Sequence, residues 1–231
     1  MRLRINSTLG SGGAIRAAVF GINDGLVSNA SLILGIAGAS TNSSLIILAG
    51  MAGLGAGAFS MAAGEYISMR SQRELFEYQI AQKRTELSKN PEKEAAELSS
   101  IYQDRGLSKV DADAFANKIL VNRELALNTL VREGLGLNPD ELGSPWGAAF
   151  SSLISFAFGA LIPLFPFLFH INYMSLRISI IFTGLSLFVV GVTMSFFTGR
   201  GAFYSGFRML AIGTLAGVTT FVIGRLVGVH I

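Results

Sequence analysis

The sequence has no cysteine, only two histidines and one tryptophan in 231 residues, and just 14% of it is charged. Without cysteine there are no disulfides, thiolate metal sites or cysteine nucleophiles, although the redox compartment stays open. His170 and His230 have no partner at ligand spacing. Neither a Glu-x-x-His nor a His-Glu-x-x-His motif is present, which argues against an intramembrane enzyme. Acids are scarcest outside the middle of the chain. Beyond residues 70–145 the only two are Asp24 and Glu65, and no charged residue lies between Gly25 and Gly64. A soluble domain carries about a quarter charged residues. With a mean hydropathy of +0.52, these runs are too long and too free of charge for a soluble core. The expected class is therefore an all-α integral membrane protein. The start, Met1-Arg2-Leu3-Arg4, lacks the pattern of a cleaved signal peptide, so the first membrane helix is expected to act as the insertion signal.

The charges that are present are sharply partitioned. Residues 70–145 hold 11 of the 18 Lys and Arg and 13 of the 15 Asp and Glu, which leaves that stretch near neutral. Other basic residues, including Arg2, Arg4, Arg16, Arg200 and Arg208, fall at helix ends. No basic stripe with interleaved aromatics exists, so the formal charge of +3 does not indicate nucleic-acid binding.

Five spans are predicted. The first runs from about Ala14 to Ser40, after a short Gly- and Ser-rich segment expected to be loosely ordered. The second starts near Leu45 and, with no Pro or Gly over 65–89, continues as one helix beyond the membrane. Asn90-Pro91 marks a stop and restart. Short helices are expected at about 91–104, 109–121 (capped by Ser108) and 123–134. Three apolar segments follow, at about 147–169, 176–198 and 206–229, each long enough for a hydrocarbon core of roughly 30 Å. Pro163 and Pro166 are expected to kink the first of these. The division is 1–69 for the first two spans, 70–145 for a helical domain and 146–231 for the last three spans. The basic residues favour an N-terminus and 70–145 domain in the cytosol and a C-terminus outside.

The organising stretch is Gly21–Leu32, GINDGLVSNASL, which places Asp24 with Asn23, Ser28, Asn29 and Ser31 inside an apolar span. A carboxylate at that depth is unfavourable and marks an ion pathway. Asp24 lies 17 residues before Thr41 and Met61 lies 17 after Ser44, each about 25 Å along a helix from the same turn. Their side chains should therefore meet at similar depth. Glu65 shares the Met61 face at i, i+4. Two hard carboxylates flanking a soft thioether suit a transition metal. Asp24, Met61, Glu65, Asn23 and Ser28 form the expected transport path. Gly53 and Gly57 continue the same stripe as a small-xxx-small packing face that meets another helix, in a symmetric dimer its own copy.

Each reading has a plainer alternative. Asp24 can belong to a turn or a helix interface, Met61 to ordinary packing, and Glu65 to a solvated interface. In the 70–145 domain Glu94 and Glu97 share a face, and acid-rich faces can bind hard cations. The interleaved Lys83, Lys93, Arg105 and Lys118 favour a solvated, salt-bridged face instead.

GINDGLVSNASLILGIAGA, and AGAFSMAAGEYISMRSQRE at 56–74, resemble the vacuolar iron transporter family over nearly the whole chain, including the RGL and LVREGLGLNPDE stretches. The resemblance implies a homodimer with a pore on its two-fold axis, moving ferrous iron or manganese out of the cytosol against protons. It implies Asp24 and Met61 as pore residues and a cytosolic metal-binding helical domain. The chain departs from the pattern at Gly53, where some members have Glu. In the cytosolic site Glu86 and Glu97 remain, whereas Lys83, Ser100 and Gly134 replace acids and Leu130-Val131 replaces a Met pair. No tightly bound cofactor is expected, only transported Fe2+ or Mn2+. The expected partners are a second copy, divalent metal ions, protons and the lipid bilayer. The short loops favour a bacterial inner membrane. The competing reading is a non-transporting membrane metal sensor or scaffold whose cytosolic helices bind a partner.

Overall fold

Charge-free runs and breaker residues set the helix boundaries, and the computed structural model describes them over residues 9–138, 142–169 and 174–228. Arg2, Arg4, Pro139, His170 and His230, and the side chain of Arg16, lie outside what it describes. Among the described residues there are eight α-helices and no strand. Helix α1 is Leu9–Ala39, α2 Ser43–Lys89, α3 Pro91–Asp104, α4 Lys109–Leu120, α5 Arg123–Gly134, α6 Pro145–Leu168, α7 Ser175–Thr198 and α8 Ala202–Gly228. Helices α1, α2, α6, α7 and α8 contain the five stretches long and apolar enough to span a bilayer. This is a membrane protein.

Local chemistry accounts for most of the ends. Helix α2 runs for 47 residues, as expected from its lack of breakers after Gly64. At the α2–α3 junction Asn90 takes the N-cap position without a side-chain capping bond, and Pro91 opens α3 where its missing N–H is not needed. The Ser108 hydroxyl accepts from Asp111 N–H at 3.2 Å to cap α4. Asn122 Oδ1 accepts from Glu124 and Leu125 N–H to cap α5. Helix α7 stops at Gly199, whose φ of 67° is left-handed and natural for glycine.

Two ends differ from expectation. Helix α1 already includes Leu9–Gly13, because no proline stops the helical backbone from extending through that Gly- and Ser-rich stretch. Helix α8 begins at Ala202 rather than near 206, because the Gly201 carbonyl already accepts from Ser205 N–H at 3.0 Å. Helix α6 passes through Pro163 and Pro166 unbroken. The buried Ser179 and Ser175 hydroxyls donate to the Pro163 and Pro166 carbonyls at 2.6 and 3.2 Å, tying α7 to α6.

The chain divides into two compact units. One is residues 68–144, cored by Leu87, Leu98, Ile119, Leu127, Leu130 and Val131. The other joins residues 13–67 to the segment from 145 onward. This second unit has two small cores, Ile33, Ile46, Leu164 and Phe167 from α1, α2 and α6 in one, and Ala58, Phe156 and Ala160 from α2 and α6 in the other.

Helices α1 and α6 touch backbone to backbone. A Cβ on Gly25 would collide with the Phe156 carbonyl oxygen and stand 2.9 Å from Ala160 N, and one on Gly159 would collide with the Ile22 carbonyl oxygen. A Cβ on Gly55 would meet nothing within 4 Å. Gly25→Ala should therefore destabilise the protein by about 1–3 kcal/mol through overpacking. Gly55→Ala should be neutral or gain up to about 1 kcal/mol from helix propensity. Melting of the two variants in detergent measures the contrast.

Candidate functional site

Asp24 sits in the middle of α1, and the helix is continuous through Asn23-Asp24-Gly25, so the turn alternative for this carboxylate does not apply. Residues 20, 24, 28 and 32 recur every fourth position, which puts Phe20, Asp24, Ser28 and Leu32 along one face. That face, with Asn29, forms one wall of a cavity of about 300 Å³. Gly53, Gly57, Ser60 and Met61 of α2 form the opposite wall, and Phe156 of α6 contributes the remainder. The depth count from the 41–44 turn thus has a structural counterpart, since Asp24 and Met61 line the same space. Ser28 donates its hydroxyl to the Asp24 backbone carbonyl at 2.5 Å, which leaves the Ser28 oxygen lone pairs for the cavity. Met61 also packs against the Ala58–Phe156–Ala160 core.

The other expected path residues are placed differently. Asn23 is half-buried outside the cavity lining, with Oδ1 buried and not hydrogen bonded among the described residues. Glu65 is half-buried one turn beyond Met61 and likewise outside the lining. Gly53 and Gly57 pack within the chain. A Cβ on Gly57 would run into the Phe156 ring, and one on Gly53 would stand 2.5 Å from Leu32 Cδ2 and 3.0 Å from Asn29 Oδ1. The cavity therefore brings together one carboxylate, one thioether and several neutral oxygens inside apolar walls. That donor set can hold a divalent cation of intermediate softness.

The acids of the 68–144 unit are not simply solvated. Glu94 is 1% exposed, and its Oε2 lies 2.8 Å from Lys83 Nζ. The same ammonium donates to both Glu97 oxygens at 2.8 Å and lies 3.8 Å from Glu86 Oε2. The expected salt bridges are present, but the face is not wholly solvated, because Lys83 reaches from α2 to α3 and closes over Glu94, a pairing across helices that charge spacing along one helix does not reveal. Burial by itself would lower the Lys83 pKa, but the hydrogen bonds and charges of Glu94 and Glu97 outweigh it, and the net shift is upward. A Cβ on Gly134 would stand 3.3 Å from Glu97 Oε1, so that position borders the cluster, whereas Leu130 and Val131 are fully buried in the core. Among the described residues no group of three or more His, Cys, Asp or Glu is arranged to hold a metal ion. Solvent-facing ion pairs do occur elsewhere on this unit, as in Arg70–Glu74 and Arg73–Glu77.

Comparison with known proteins follows the same lines. The model of the VIT family matches residues 15–225. Vacuolar iron transporter 1 of Arabidopsis thaliana is 29% identical over 218 residues, covering 94% of this chain and 87% of the relative. The vacuolar iron transporter of Acanthamoeba castellanii is 35% identical over 223 residues, covering 95% and 81%. Vacuolar iron transporter homolog 1 of rice, Oryza sativa subsp. japonica, is 33% identical over 218 residues, covering 94% and 75%.

The lysine cluster makes a prediction of its own. Lys83→Met keeps the length of the side chain but leaves the Glu94 carboxylate buried beside no cation, which should destabilise the 68–144 unit by about 3–5 kcal/mol. Hydrogen exchange of α3 in the full-length protein would show the loss, and Glu94→Gln added to Lys83→Met should restore part of it. Because the folded-state pKa of Lys83 lies above the unfolded one, the contribution is complete below about pH 10.4. It fades as pH rises through the folded value.

Proposed function

The chain belongs to the VIT family, and from that premise we propose that it is a transporter of divalent transition metals, ferrous iron or manganese. It exports them from the cytosol in exchange for protons, as a homodimer with the path near the two-fold axis. The single observation that carries this reading is the shared cavity of Asp24 and Met61 within a bundle of apolar spans. Its relatives are named as iron transporters, and nothing in the cavity calls for enzymatic chemistry.

The roles follow from donor chemistry. The Asp24 carboxylate binds the cation and can hold a proton in its place, so metal release and proton uptake are alternatives at one group. The Met61 thioether favours softer ions over Ca2+ and Mg2+. Ser28 adds a neutral oxygen beside Asp24. Glu65 and Asn23 act outside the cavity, Glu65 as the acid at the cytosolic entrance. The distribution of basic residues supports a cytosolic N-terminus, a cytosolic 70–145 domain and an external C-terminus. The short loops support a bacterial inner membrane.

Glu86, Glu94 and Glu97, the acids a cytosolic metal site would use, gather instead around the Lys83 ammonium, which occupies the place of a metal ion there.

Flux in proteoliposomes free of any other protein separates transport from the sensor or scaffold reading. Wild type should move Fe2+ or Mn2+ and carry protons the opposite way. Asp24→Asn should fall to background for both, and metal flux equal to wild type in that variant would overturn the mechanism. Met61→Leu preserves volume and should still transport, but with Mn2+ gaining on Fe2+ in direct competition because the soft ligand is lost.

A further inference from the structure

We propose that Asn29 is a further, specificity-determining ligand of the metal path, donating its side-chain Oδ1 to the cation between Asp24 and Met61. The inference rests on the reading of that cavity as the path and deepens it.

Asn29 is 2% exposed. Its Nδ2 donates to the Ala160 carbonyl of α6 at 2.7 Å. A backbone carbonyl can only accept, so the amide nitrogen must face α6 and the amide oxygen must point away from it. That oxygen is fully buried and has no hydrogen-bond partner among the described residues, a condition that calls for an explanation. The side chain lines the same cavity as Asp24, Ser28 and Met61. Directly opposite stands Gly53 of α2, where an added Cβ would come within 3.0 Å of Oδ1. The surroundings are otherwise apolar, with Phe20, Leu32 and Phe156 in the same walls.

A role in packing alone accounts for only half of this side chain. Clamping α1 to α6 requires a donor, which Nδ2 supplies. The oxygen adds nothing to the clamp, and no protein group among the described residues satisfies it. A cation in the cavity would. The chemistry suits a carrier as well. An amide oxygen is a hard, neutral donor that does not titrate. It strengthens binding of a divalent ion without a second negative charge, so protonation of one carboxylate is enough to release the ion. A site that must both fill and empty is served by such a weak additional ligand.

The test uses full-length protein in proteoliposomes, with Mn2+ as the probe and equilibrium Mn2+ binding in detergent as a second readout. Asn29→Leu removes the oxygen at similar size, and Asn29→Thr keeps a hydroxyl donor toward Ala160 in case the leucine variant does not fold. Loss of the ligand should raise the KM and the dissociation constant for Mn2+ about tenfold, with the maximal rate per folded protein retained. Asn29→Asp should do the opposite, binding Mn2+ more tightly and releasing it more slowly. A clamp alone would lower the melting temperature and leave KM and binding at the wild-type values, and that result would overturn the proposal. Asp24→Asn, run alongside, separates the two levels. If it abolishes flux while the Asn29 variants keep wild-type affinity, only the Asn29 inference fails. If it transports normally, the path itself is misassigned.

Discussion

The backbones of α1 and α6 approach so closely that neither Gly25 nor Gly159 has room for a methyl group. Much else in the spanning unit depends on this contact. It brings the Ala160 carbonyl within reach of Asn29 and sets Phe156 against Gly57 and Met61. It thereby fixes the α1 face that carries Asp24 relative to α2. In a bilayer, helices gain little from burying apolar surface against each other, and close packing of small residues supplies much of the association. Gly25 of the Asn-Asp-Gly stretch, with Gly159 of α6 opposite, therefore acts as structure as much as sequence punctuation, and the pair positions the one acid of α1.

The two units treat buried charge in opposite ways. In the 68–144 unit the Glu94 carboxylate is enclosed, and the chain supplies its own cation, Lys83, at 2.8 Å. The cluster is balanced from within and joins α2 to α3. In the spanning unit Asp24 faces a cavity instead. A carboxylate placed against open space amid apolar walls leaves room for a mobile cation, whereas one clasped by an ammonium does not. The contrast lies in what each carboxylate faces and not in the number of acids, since the 68–144 unit has many more of them.

Much of the fold was legible in the sequence. The five spans follow from runs without charge, and the long α2 follows from the absence of Pro and Gly beyond Gly64. Ser108 and Pro91 mark helix starts by chemistry that is local to a few residues. The errors fell where local signals are weak. Nothing in Leu9–Gly13 states where α1 begins, and the start of α8 turned on a single hydrogen bond from Ser205. The site was legible in part. Asp24 and Met61 could be paired by counting along two helices joined by a tight turn, because rise per residue is constant. Lys83 was expected in a salt-bridged face, but its buried pairing was not, because Glu94 and Glu97 lie on the next helix, 11 and 14 positions away, and charge spacing along one helix is blind to them.

The sequence by itself determined that this chain is helical and membrane-spanning, that Asp24 and Glu65 are its only acids outside 70–145, and that its motifs belong to one family. These properties live in composition and in spacing along single helices, where physics acts over a few residues. Only the tertiary structure decided which polar groups share a space. It put Asn29 in the cavity and left Asn23 and Glu65 outside its lining, although all three looked alike as polar residues in apolar helices. It also turned Gly53 and Gly57 toward α1 and α6 of the same chain. Such choices depend on the rotation of each helix and on how closely backbones approach, and both are set by contacts between residues far apart in the chain.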